Sequence, residues 1–439
     1  MATLTFLTAP GGALRGRVRA PGDKSISHRA IMLGSLAEGV TTVTGFLEGG
    51  DCLATLEAFR AMGVRIAGPK QGRVTVHGVG LQGLRAPASP LDMGNSGTSM
   101  RLMAGILAGQ AFDTVLTGDA SLTRRPMRRI TEPLALMGAR IEAAATGAAP
   151  LCIRGGQRLT GIDYRLPMAS AQVKSCLLLA GLYAEGVTRI TEPAPTRDHT
   201  ERMLEGFGYP LARESDRTVA VSGGRRLTGT EIDVPVDISS AAFFLVGASL
   251  APGSDLVLEH VGVNPTRTGV IDILRLMGAD IEVLKPRLAG GEPVADLRVR
   301  HAPLRGIRIP EALVPLAIDE FPALFIAAAG AEGVTVLTGA EELRVKESDR
   351  IQVMADGLNA LGGAAGPTSD GIIIQGGALA GGTVHSHSDH RIAMSFAMAA
   401  LRASGPITIR DCANVNTSFP GFVVLARNAG LSIQEQETP

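Results

Sequence analysis

The chain has 439 residues, in which 42 Lys and Arg balance 42 Asp and Glu, while aromatic residues make up only 3% and Trp is absent. Balanced charge excludes a global field steering the chain to nucleic acid or to an acidic membrane, and so few rings exclude extended base-stacking platforms. No stretch reaches the roughly 18 unbroken apolar residues of a membrane span, the opening MATLTFLTAP lacks a signal peptide's basic start and long apolar core, and about 150 residues per domain gives two or three domains, so a soluble, cytoplasmic protein of two domains is expected.

In chain order, an N-terminal strand (Thr3 to Thr8, then Arg15 to Arg19) leads into PGDKSISHR, residues 21–29. The Pro-Gly turn breaks the strand, and Asp23 or Ser25 can cap the helix that follows. Its first-turn amides then point at whatever anion Lys24 and Arg29 attract. The same residues would equally serve a capped surface helix with a basic first turn.

From there the chain repeats. Helices beginning near Lys24, Asn95, Ser170, Asp237, Asp319 and Asp389 stop at Gly-containing turns, a short alternating strand follows, and then a second helix. Each second helix ends on a glycine, at Gly63, Gly138, Gly208, Gly278, Gly362 and Gly430, where a left-handed cap suits the residue without a Cβ. The unit is α-β-α-β-β, six times over. Two α/β lobes of three units each fit the length, one spanning 20–235 and the other 1–19 plus 236–439, joined by a two-strand hinge near residues 20 and 235. The cysteines Cys52, Cys152, Cys176 and Cys412 lie far apart without paired spacing, and are expected to be reduced, mostly buried thiols.

Polar clusters recur at equivalent helix starts. Lys24, Arg29, Arg125, Arg197, Arg350 and Arg391 are thereby gathered, and several arginine forks imply substrates with multiple negative charges. Gly94-Asn95-Ser96-Gly97-Thr98 allows close backbone approach to a ligand but has no nucleotide-binding spacing. Asp319 and Glu347 lie among the cations. A carboxylate beside Lys346 and Arg350 is expected to stay ionised and accept a hydroxyl proton, although Asp319 could instead cap the helix that follows it. His385, His387, Asp389 and His390 resemble a metal cluster, but in an extended run their side chains would alternate between faces, so no metal is expected.

PGDKSISHR, GNSGTSMR (94–101), GDASLTRRPM (118–127), MASAQVKS (168–175), RVKESDR (344–350) and DHRIAM (389–394) together resemble the 5-enolpyruvylshikimate-3-phosphate synthase family, over nearly the whole chain and closest to its class II branch. The resemblance implies a two-domain inverted (inside-out) α/β barrel closing over its substrates. It implies transfer of the enolpyruvyl group of phosphoenolpyruvate to the 5-hydroxyl of shikimate-3-phosphate, with release of phosphate and with neither metal nor organic cofactor. Carried onto this sequence, Lys24, Ser25, Arg29, Ser170, Ala171 (through its backbone), Gln172, Arg197, Asp319 and Lys346 hold shikimate-3-phosphate. Lys24, Gly97, Arg125, Gln172, Arg350 and Arg391 hold phosphoenolpyruvate. Asp319 is the implied base, and Glu347, with Lys24, the implied acid for the methylene carbon. The two substrates are the expected partners, with no nucleic acid or membrane among them, and the chain is expected to be a monomer.

Two positions depart from the family pattern. Thr417 stands where class I members have a phosphoenolpyruvate-contacting lysine, and Gly97 is the residue that some glyphosate-insensitive class II members replace with alanine, so sensitivity to glyphosate does not follow from class. The related UDP-N-acetylglucosamine enolpyruvyl transferases rely on a loop cysteine that the stretch 118–129 lacks. A non-catalytic anion-binding repeat protein would need the cations but neither Asp319 nor Glu347.

Overall fold

The computed structural model describes residues 3–438 as two compact units. The middle unit comprises Gly22–Val234 with Ala289–Glu292, and the terminal unit comprises the chain up to Pro21, Pro235–Leu288 and the chain from Pro293. The crossings at Pro21–Gly22 and Val234–Pro235 each follow a strand hydrogen-bonded in the unit being left. Arg15–Val18 pairs in parallel with Asp255–Gly262, and Glu231–Asp233 pairs in parallel with Glu38–Thr44.

The middle unit contains three four-stranded sheets. Their orders are Glu231–Asp233, Glu38–Thr44, Arg73–Val79, Arg65–Lys70; then Leu91–Asp92, Thr114–Thr117, Leu151–Arg154, Arg140–Glu142; then Asp163–Arg165, Val187–Thr191, Thr218–Ser222, Ala212–Arg213. The first pair in each order is parallel and the others are antiparallel. A parallel pair needs a crossover connection, which a helix supplies. The helices Lys24–Leu36, Gly97–Ala108 and Ala171–Gly181 are buried almost throughout, whereas Gly50–Ala61, Arg128–Leu136 and His199–Gly206 bury one side. Their sequences explain this: LMAGILA and SCLLLAG are apolar almost all round, while RRITEPLAL is amphipathic.

The terminal unit is built in the same manner. Its buried helices are Ile238–Leu250, Phe321–Ala329 and His390–Ala399, and its sheets contain Asp255–Gly262, Val334–Leu337 and Ile407–Arg410 respectively. Thr3–Thr8 completes the last sheet between Ile407–Arg410 and Ile433–Thr438. Each unit has its own continuous apolar core. No helix among the described residues is long and apolar enough to cross a membrane.

Local signals place the helix ends. Asp23, Ser96, Ser170, Asp237 and Asp389 each accept a first-turn N–H as N-caps, a contact worth about 1 kcal/mol. At the six second-helix ends Gly63, Gly138, Gly208, Gly278, Gly362 and Gly430 all have positive φ, from +78° to +119°. Three expectations need correcting. The helices expected near Asn95 and Asp319 begin two residues later, at Gly97 and Phe321, and Asp319 is not a cap: Glu320 holds that position. The run from His385 to His390 is not extended, because the strand Gly382–His385 ends there and His387 and Ser388 take φ of 52° and 57°.

Candidate active site

In the middle unit the polar side chains collect where the three buried helices start. Lys24 Nζ donates to Asp51 Oδ2 at 3.1 Å. Further along the same helix, Arg29 is buried with each of its three nitrogens donating, Nε to Thr200 Oγ1 at 2.7 Å, Nη1 to the Ser25 carbonyl at 2.9 Å and Nη2 to Ser175 Oγ at 2.8 Å. Burial, reinforced by Arg197 and opposed by Glu201 and Asp23, lowers its pKa to about 10. Between these two cations His28 is completely buried, 2.8 Å from Thr55 Oγ1 and 3.5 Å from Ser96 Oγ. Burial first, then Lys24 and Arg29, holds its pKa well below the ordinary 6.5, so it is a neutral linker.

Gly97 opens the second helix beneath two arginines: a Cβ there would lie 3.2 Å from Nη1 of both Arg101 and Arg125. Arg125 donates to Asn95 Oδ1 at 2.7 Å, Arg101 donates to Gln172 Oε1, and Gln172 Nε2 donates to Thr98 Oγ1 at 3.1 Å. Gln172 follows Ser170, the cap, and Ala171, the first helical residue. The structure thus brings Gly97, Arg125 and Gln172 into one cluster, and Lys24, Ser25 and Arg29 onto one helix start. Arg197 is half-buried in the loop before His199–Gly206.

In the terminal unit the site is ionic. Asp319 Oδ1 is 3.3 Å from Arg350 Nη1 and 3.5 Å from Lys346 Nζ, and Oδ2 is 4.0 Å from Arg391 Nη2. Arg391 also donates to the Asp319 carbonyl at 3.0 Å. Glu347 Oε2 takes a 2.6 Å bond from Arg350 Nη2. Arg350 is fully buried, with Nε on Asp389 Oδ2 at 2.9 Å. Burial alone would lower its pKa, but Asp389, Glu347 and Asp319 raise it above the ordinary value. Three carboxylates thus hold Arg350 in place. Asp389, grouped by sequence with histidines, serves Arg350 and the helix cap instead. Thr417 Oγ1 donates locally, to the Asn414 carbonyl at 2.7 Å.

Sequence reasoning missed the residues that hold these groups in place. Asp51, Glu320 and the Asp389 carboxylate partner cations 27 to 71 residues away, beyond any local pattern. Lys174, from the MASAQVKS motif, lies buried between Glu192 Oε1 at 2.7 Å and Glu201 Oε1 at 2.8 Å. Burial lowers its pKa but these glutamates outweigh that and raise it. Arg101 was detectable, since it stands one helical turn after Gly97 on the same face.

The fold is one shared with enolpyruvyl transferases: the crystal structure of the enolpyruvyl transferase NikO from Streptomyces tendae, 16% identical, superposes with a TM-score of 0.79 over 100% of both chains. An EPSP synthase from Acinetobacter baumannii, 61% identical, superposes at 0.89 over 99% of this chain and 100% of that one. The family model for EPSP synthase (3-phosphoshikimate 1-carboxyvinyltransferase) matches residues 8–425. Proteins named 3-phosphoshikimate 1-carboxyvinyltransferase are 71% identical in Methylococcus capsulatus, over 98% of both chains, and 72% identical in Alkalilimnicola ehrlichii, over 98% of this chain and 96% of that one. The chain belongs to the EPSP synthase family.

Proposed function

We propose that this protein is an enzyme that transfers the enolpyruvyl group of phosphoenolpyruvate to the 5-hydroxyl of shikimate-3-phosphate, releasing phosphate. Family membership supports the reaction, and the observation that carries its chemistry is Asp319, a half-buried carboxylate within 4.0 Å of Lys346, Arg350 and Arg391, with Glu347 on the same arginine. Both substrates are phosphorylated carboxylates, so cations must gather them before any bond changes.

In the proposed reaction Asp319 accepts the 5-hydroxyl proton as the oxygen bonds to C2 of phosphoenolpyruvate, and Glu347, with Lys24, gives a proton to the methylene carbon. A proton of that methyl carbon then returns to Glu347, its C–H electron pair re-forms the double bond, and the bond from C2 to the phosphate oxygen breaks to release phosphate. Shikimate-3-phosphate is assigned to Lys24, Ser25, Arg29, Ser170, Ala171, Gln172, Arg197, Asp319 and Lys346. Phosphoenolpyruvate is assigned to Lys24, Gly97, Arg125, Gln172, Arg350 and Arg391. Arg29 and Arg350 are each held by several internal partners, which fix the direction of the guanidinium.

The finer architecture belongs to the same proposal: six α-β-α-β-β units, three to a unit, forming inside-out barrels, with the crossings at Pro21–Gly22 and Val234–Pro235 as the hinge. The chain is proposed to act as a cytoplasmic monomer. Mass spectrometry of the acceptor tests the reaction. Shikimate-3-phosphate is expected to gain one enolpyruvyl group, and an unmodified acceptor, or modification of UDP-N-acetylglucosamine in its place, would refute it.

A further inference from the structure

Glu320 occupies the N-cap of the Phe321–Ala329 helix, yet its side chain makes no capping hydrogen bond. The carboxylate turns inward and is 0% exposed. Its Oε1 accepts a hydrogen bond from Ser239 Oγ, and lies 3.7 Å from Arg267 Nη2 and 3.9 Å from Arg391 Nη1. Ser239 is in the first turn of Ile238–Leu250, and Arg391 in the first turn of His390–Ala399. One buried carboxylate therefore ties together the starts of all three buried helices of the terminal unit. Arg267 is fixed in turn, donating to Asp237 Oδ1 at 3.0 Å and to Ser239 Oγ at 2.8 Å.

The consequence falls on Arg391. A guanidinium is a rigid plane, so holding one nitrogen sets the direction of the others. Nη1 of Arg391 donates to the Asp319 carbonyl at 3.0 Å and lies 3.9 Å from Glu320 Oε1. We propose that Glu320 is a positioning residue for the donor substrate, its buried carboxylate holding the Arg391 fork in the orientation that takes phosphoenolpyruvate. This rests on the assignment of Arg391 to phosphoenolpyruvate above. Mere neutralisation of buried Arg267 would make Glu320 structural, and its loss would then change stability and all kinetic constants together.

Glu320→Gln keeps the shape and an acceptor for Ser239 but removes the charge. Steady-state kinetics are expected to show KM for phosphoenolpyruvate raised about tenfold, with kcat and KM for shikimate-3-phosphate within about threefold of the wild type. In an Arg391→Lys background the same substitution is expected to add less than about threefold, because the fork it orients is gone. An unchanged KM for phosphoenolpyruvate, or equal rises in both KM values, overturns the proposal. If Glu320→Gln does not fold, Ser239→Ala keeps the charge and removes only the bridging hydroxyl; a rise of about threefold in the same constant is expected, and no rise overturns the proposal. Wild-type turnover with an unshifted KM sinks this inference alone, whereas a wild type without turnover sinks the functional assignment and this inference with it.

Discussion

The two units start their buried helices in different chemistry. In the middle unit the arginines and the histidine named above are held mainly by neutral groups, His28 by Thr55 and Ser96, Arg29 by two hydroxyls and a carbonyl, Arg101 by an amide, while its two lysines carry the ion pairs, Lys24 with Asp51 and Lys174 with Glu192 and Glu201. In the terminal unit the links run through charge, with Asp319, Glu320, Glu347 and Asp389 against Lys346, Arg350, Arg391 and Arg267. A cation held by neutral oxygens keeps its full attraction for an anion, whereas one facing carboxylates is already compensated. We propose from this contrast a division of labour in which the proton-transferring carboxylates, Asp319 and Glu347, belong to the terminal unit, while most of the assigned substrate contacts belong to the middle unit, with Lys346, Arg350 and Arg391 of the terminal unit assigned to the substrates as well.

The largest effect should come from the terminal unit. Asp319→Asn is expected to lower kcat by about 10²–10⁴-fold, as for loss of a general base, while calorimetry finds shikimate-3-phosphate affinity within about threefold of the wild type. Near-normal turnover would remove Asp319 from that role. Next is Gly97→Ala in the middle unit, where the added Cβ must displace the Arg101 and Arg125 guanidinium groups, each 3.2 Å away, by a few tenths of an ångström. KM for phosphoenolpyruvate should rise about tenfold with kcat largely kept, and competitive inhibition by glyphosate, if present in the wild type, should weaken in parallel. Equal loss in kcat would place Gly97 on the side of the chemistry and blur the comparison.

A smaller effect follows from His28. Its native pKa lies well below 6.5, so at neutral pH both folded and unfolded states hold it neutral; as pH falls below 6.5 the unfolded state takes up the proton first. The stability contributed by the neutral linker is thus present above 6.5 and is lost toward acid, at up to about 1.4 kcal/mol per pH unit until the native pKa is reached. Denaturant unfolding at pH 5 to 8 should show this slope, and His28→Asn should flatten it. The smallest effect tests whether the units differ in packing as well as in charge. Burial pushes both Cys176, in the middle unit, and Cys412, in the terminal unit, up to about 12. With Cys52 also buried, a thiol reagent should label only half-buried Cys152 in the native protein. Labelling of Cys412 at the same rate would show the terminal core to be looser.

Much of the framework was legible because it is local. The helix starts near Lys24, Ser170, Asp237 and Asp389, the cap at Asp23, and the six closing glycines are written in adjacent residues whose conformational preferences do not depend on the rest of the chain. The clustering of Asp319, Lys346, Glu347, Arg350 and Arg391 was legible only through the repeating pattern and the family motifs. Three things were not legible. The choice between Asp319 and Glu320 as cap turned on a helix start two residues later than expected, at Phe321, and Pro322 suits either start. The burial of Arg350 depends on Asp389, 39 residues away in sequence. Likewise, Lys174 reads as one more cation of an anion site until the fold places Glu192 and Glu201 around it.

The division of labour is tested most directly by kcat at saturating phosphoenolpyruvate in two variants, Arg125→Ala from the middle unit and Asp319→Asn from the terminal unit. Excess substrate should return Arg125→Ala to within about tenfold of wild-type turnover and leave Asp319→Asn at least about a hundredfold down at any concentration. Equal, unrecoverable loss of kcat in both variants would contradict the account.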